Sequence, residues 1–105
     1  MKIGNKNLPP KSAIKIPPKK RRYPDNFYKG TMREVKSGQI SMNYKKQIDF
    51  DIDILKKGNI TYKGQIIKKV EWHAVNGIDE VVLKYIQTEL RNSGISIDKF
   101  QIILY

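Results

Sequence analysis

From Thr31 to Tyr105 the sequence switches repeatedly between a two-residue and a helical hydrophobic period, and that alternation limits the architectures open to the chain. TMREVK (31–36) sets Met32, Glu34 and Lys36 against Thr31, Arg33 and Val35, which is the period of a strand. Residues 41–57 admit two readings. Ile48, Phe50, Ile52 and Ile54 alternate with Asp49, Asp51 and Asp53 as in a strand, while Tyr44, Ile48, Ile52 and Leu55 keep helical spacing. Length favours helix, and so do the ends: Ser41 suits an N-cap, Gly58 a C′ position, and Lys56 and Lys57 the negative helix end. Residues 66–75, rich in β-branched and aromatic side chains, read as one strand closed by Asn76-Gly77. Ile78, Val82, Tyr85, Ile86 and Leu90 then mark a helix from Ile78 to Asn92, which Gly94 ends. FQIILY (100–105) is a final strand. Upstream, RRYPDNFYKG reads as an extended piece and a turn ending at Gly30. The order strand, helix, strand, helix, strand predicts an α/β fold, a small mixed central sheet flanked by helices.

The charge is unevenly placed. Of the net +11, residues 1–22 supply eight basic side chains and no acid, whereas residues 23–105 hold 13 basic residues against all 10 acids. Pro9-Pro10 and Pro17-Pro18 oppose helix, so residues 1–20 are expected to form a basic, Pro-rich arm or linker ahead of a single domain at 21–105. Such an arm suits a polyanionic partner, because phosphate neutralisation releases counterions; it equally suits a solvated tail. Lys19, Lys20, Arg21 and Arg22, with Lys45-Lys46 further on, are the candidate nucleic-acid contacts. No apolar run reaches the length of a membrane span, and the N-terminus lacks the apolar block of a signal peptide. Without cysteine there is no disulfide and no thiolate zinc site.

The segment richest in chemistry is RRYPDNFYKGTMREVKSG, with Pro24-Asp25 and Glu34-Val35-Lys36. If Asp25 ends one extended segment and Glu34 lies on its neighbour across a hairpin, the two carboxylates meet at one point. Two hard oxygen ligands suit Mg²⁺ and leave room for water and a phosphate oxygen. Alternation puts Lys36 on the face of Glu34, ~7 Å further along the strand, where an ammonium can orient water and offset phosphoryl charge.

On these residues the chain resembles the PD-(D/E)XK, restriction-endonuclease-like nucleases, whose pattern is Pro-Asp, a variable spacer, then acid-X-Lys. Over residues 21–105 it is further similar to the nuclease domains that end bacterial polymorphic and contact-dependent inhibition toxins. The shared pieces are Arg-X-Pro-Asp at 22–25, Glu-Val-Lys at 34–36, a helix opening with Gln47-Ile48-Asp49, the strand Val70-Glu71-Trp72-His73, and a helix running out at Gly94-Ile95. The resemblance implies a metal-dependent endonuclease toxin with Asp25, Glu34 and the Val35 carbonyl on Mg²⁺ (or Mn²⁺), Lys36 catalytic, and Gln47 supporting the site. It implies DNA as the favoured substrate with transfer RNA as the other candidate, and an immunity protein, acidic by charge complementarity. It also implies delivery by the producing bacterium into a target-cell cytoplasm. Many family members carry another acid on an upstream helix; no Asp or Glu precedes Asp25 here.

Other features carry less. Gln47 reads equally as an exposed polar helix residue. Asp49, Asp51 and Asp53 lack the glycine and distal Glu of a calcium loop and are expected to form a solvated or partner-binding face. The lone His73 is expected as a packed residue of a central strand. Lys45-Lys46 and Lys68-Lys69 are either phosphate-groove residues or solvated pairs. Two further functions remain open on sequence: a non-catalytic nucleic-acid-binding protein of a phage or mobile element using the basic arm, and an inhibitor or adaptor.

Overall fold

The computed structural model describes residues 14–16, 20–22 and 24–105. Lys19, and most of the expected arm, lie outside the described residues. Two short strands, β1 (Ile14–Ile16) and β2 (Lys20–Arg22), pair antiparallel, and β2 runs beside the first helix. Strands β3 (Asn26–Tyr28) and β4 (Thr31–Lys36) form an antiparallel hairpin. Its two-residue turn, Lys29-Gly30, has positive φ at both positions (49° and 83°), the form whose twist matches paired strands. Asp25 precedes β3 and so opens the extended segment that was expected to end on it.

Ser41 accepts from the Asn43 amide and caps a 3-10 turn, Met42–Tyr44, that leads directly into α1 (Lys45–Lys57). Gly58 ends α1 in the left-handed region at φ 71°. Helix is therefore the outcome for this stretch. Its strand-like alternation has a cause: Ile48, Phe50, Asp51, Ile52, Ile54 and Leu55 are all buried, so α1 is covered around much of its circumference. The expected strand 66–75 is two elements. β5 (Thr61–Tyr62) and β6 (Gln65–Ile66) make a small hairpin about Lys63-Gly64, and the sheet strand β7 starts only at Lys69 and runs to Ala74. The break at Ile67-Lys68 follows from competition for hydrogen bonds: Ile67 N donates to Ile60 O, and Lys68 N turns away to Gly30 O.

Helix α2 (Glu80–Asn92) begins two residues later than expected, because Ile78 bridges Ile40 in parallel while the Asp79 side chain caps the helix through Val81 N. After Gly94 (φ 69°), Ile95 N returns to Leu90 O, and β8 (Phe100–Leu104) completes the sheet. The order is β3-β4-β7-β8, with β3 antiparallel and β4, β7 and β8 parallel. Both crossovers step the same way across the sheet, and right-handed connections then put both helices on one face. Tyr85 of α2 donating to Asp49 of α1 agrees with this. The fold is a small mixed α/β arrangement, as the periodicity predicted, with its helices on one side. Met32, Val70, Trp72, Ala74 and Phe100 face the helices and pack with Ile48, Val82, Ile86 and Leu90 in a single core.

Gly30 ties the elements together. Its carbonyl accepts from Lys68 N (2.8 Å) and Lys69 N (3.2 Å), and a Cβ there would come within 3.2 Å of the Ile66 carbonyl. Gly30→Ala combines that crowding with a strained positive φ and is expected to lower stability by about 1–3 kcal/mol in denaturant melts.

Candidate functional site

The β3–β4 register pairs Asn26 with Arg33, and one further step sets Asp25 opposite Glu34. The Asp25 carboxylate locks that approach, with Oδ2 accepting from Val35 N at 2.9 Å. Glu34, 6% exposed, points to the helix face of the sheet, next to Trp72 in the β4–β7 register. Lys36 projects on the same face, and its Nζ donates to Glu34 Oε1 (3.2 Å) and to Gln47 Oε1 (2.8 Å) on the first turn of α1. The same ammonium lies 4.5 Å from the Tyr44 ring centroid and 5.2 Å from that of Trp72, whose π faces favour a cation. The two rings stand edge to face, 5.9 Å apart. Lys36 is thus fixed by four side chains from β4, β7, the 3-10 turn and α1.

The expected residues Asp25, Glu34, Val35, Lys36 and Gln47 are brought into this one region. Tyr44 and Trp72 were not foreseen as part of it. Tyr44 stands three residues before Gln47, a spacing that places both on one helical face and could have flagged it. Nothing local signals the Trp72 contact. Among the described residues no group of three or more His, Cys, Asp or Glu side chains could hold a metal ion. The donor set here is two carboxylates with neighbouring backbone carbonyls. That suits Mg²⁺, which takes one or two carboxylates and keeps several waters.

Asp51 departs from expectation. It is not solvated but wholly buried, and its Oδ2 accepts from Trp72 Nε1 at 2.8 Å. The indole that flanks Lys36 is therefore held from behind by a buried carboxylate. Asp49 and Asp53 make i,i+4 pairs with Lys45 and Lys57. Lys45 is exposed, and its pKa is raised by its hydrogen bonds to Asp49 and then to Tyr85. Lys46 is exposed. Lys20, Arg21 and Arg22 form β2.

His73 is buried on β7, an inner strand, as expected, but on the face away from the helices. There its Nε2 meets Glu71 Oε1 at 3.2 Å and its Nδ1 meets the Tyr105 hydroxyl at 2.9 Å. Arg33 Nε donates to the same Glu71 oxygen at 3.1 Å. Burial pushes the Glu71 carboxyl up, but hydrogen bonds from His73 and Arg33, with the Arg33 charge, outweigh it and leave its pKa lowered. A carboxyl depressed in the folded state stabilises the fold above its unfolded pKa, and that contribution is lost as pH falls through the folded value. Thermal melts from neutral pH down past the ordinary glutamate value of about 4.3 should show this loss, and Glu71→Gln should remove that component.

No protein-family model, no curated protein and no solved structure matches this chain. No helix among the described residues is long and apolar enough to cross a membrane.

Proposed function

We propose that this chain is a metal-dependent endonuclease of the PD-(D/E)XK type, with a restriction-endonuclease-like fold and a centre of Asp25, Glu34, Lys36 and Gln47. The observation that carries the reading is the Lys36 ammonium, held between the Glu34 and Gln47 oxygens beside the strand pair that Asp25 closes. A solvated surface lysine would have no reason to be drawn into a carboxylate, an amide and two aromatic rings at once.

Mg²⁺ or Mn²⁺ held by Asp25, Glu34 and the Val35 carbonyl would supply a Lewis acid for a phosphoryl oxygen and make water more acidic. The protein's own groups do the rest. Lys36 presents N–H donors to the attacking water and positive charge to the phosphate. Gln47 and Glu34 keep that ammonium in place, and the rings of Tyr44 and Trp72 limit its motion. Preorganised charge of this kind requires no reorganisation during reaction.

The substrate class is nucleic acid, DNA before transfer RNA. The biological setting is a delivered bacterial toxin, active in the target-cell cytoplasm and neutralised by an acidic immunity protein. The net charge of +11 supports both partners. The test is cleavage of plasmid DNA and of transfer RNA with Mg²⁺ and with chelator. Metal-dependent cutting of either is expected. Cutting that persists in chelator, or none on either substrate, overturns the reading.

A further inference from the structure

The face of the sheet away from the helices carries a second ordered set of side chains. Alternation and register put Tyr28 (β3), Arg33 (β4), Glu71 and His73 (β7) and Tyr105, just past β8, on this face. They run diagonally from the start of β4 to its far end, a path on the order of 20 Å along the strands. Tyr28 and Tyr105 end the diagonal, and both are open to solvent at 55% and 53% exposure. Lys29 Nζ lies 5.2 Å and the Arg33 guanidinium carbon 5.8 Å from the Tyr28 ring centroid. Lys69 Nζ approaches Glu71 Oε2 at 3.7 Å. Arg33 and Lys69 both pair with the one carboxylate, Glu71, while Lys29 lies by Tyr28, so the face keeps positive charge after its internal pairing.

We propose that this face of the sheet binds single-stranded nucleic acid, with bases stacked on Tyr28 and Tyr105 and the phosphate chain following Lys29, Arg33 and Lys69. Cations matched to phosphates give sequence-independent attraction, and exposed rings accept any base face. A duplex hides those base faces, and among the described residues no helix projects from this face to enter a major groove. The Glu71–His73–Tyr105 bonds tie the Tyr105 hydroxyl to the sheet, and the Arg33 guanidinium lies beside the Tyr28 ring. The surface lies across the sheet from Glu34 and Lys36, so the proposal stands whether or not that centre cleaves nucleic acid.

The test uses the full chain in chelator, which suppresses metal-dependent cutting, at near-physiological salt. Fluorescence anisotropy is read on labelled single-stranded RNA and DNA of about twelve nucleotides and on a duplex of the same length. Tyr28→Ala and Tyr105→Ala are each expected to weaken single-strand binding roughly tenfold, while Tyr28→Phe and Tyr105→Phe retain it. Both rings are exposed, so thermal melts should show that the alanine variants fold. The phenylalanine variants separate stacking from the loss of the His73 hydrogen bond. The basic residues of 1–22 add the same background to every variant. Alanine variants that bind like the parent, or a preference for duplex in all proteins, would overturn the proposal.

Discussion

Lys36→Ala is expected to reduce metal-dependent cleavage of plasmid or transfer RNA by at least ~100-fold, the scale on which one preorganised donor to a reacting centre counts. The physical reason is that, among the described residues, no other ammonium is recorded on Glu34 or Gln47. Lys45, on α1's first turn, is engaged by Asp49 and Tyr85. Removing Lys36 also leaves Glu34 largely buried without the cation it accepts from, so some stability goes with it. Lys36→Arg separates the two effects. It keeps the charge near Glu34 and should restore most of the melting temperature, yet a planar guanidinium cannot stand where a compact ammonium does, so cleavage stays low. Equal cleavage by all three proteins would remove Lys36 from the chemistry.

The second large effect concerns Trp72. Trp72→Ala is expected to cost about 3–5 kcal/mol, measured by urea or thermal unfolding, because a wholly buried indole leaves a cavity that its neighbours only partly close. For a domain whose total stability is roughly 5–15 kcal/mol, that leaves a marginal fold. Trp72→Phe should cost less, since it keeps one of the two rings in the core, losing the other and the donor to Asp51. If the indole also confines Lys36, the phenylalanine variant loses more cleavage than its small change in stability explains.

Much of this was legible because it is local. The two-residue period of 31–36 gave β4, and with it the common side of Glu34 and Lys36. Ser41, Gly58 and Gly94 marked helix ends because capping is set by a few adjacent residues. The β5–β6 hairpin escaped notice: Thr61-Tyr62 and Gln65-Ile66 are too short to show a period, and Lys63 adopts a positive φ that non-glycine residues seldom take. Asp51 was misjudged for a different reason. Three aspartates at alternate positions look solvated until an indole from β7, 21 residues away, is known to lie above one of them. The Lys36–Gln47 bond and the diagonal from Tyr28 to Tyr105 likewise depend on strand register, which no single segment encodes.

The β3–β4 hairpin has a consequence for how the candidate centre assembles. Asp25, Glu34 and Lys36 lie within one short stretch, joined by a two-residue turn. The groups that fix the ammonium do not belong to it: Gln47 and Tyr44 come with α1, and Trp72 arrives only when β7 docks in parallel against β4. Assembly of this centre is therefore tied to global folding. On the proposed function, a chain threaded through a barrier in extended form would carry these groups apart and bring them together only in the cooperative step that closes its core.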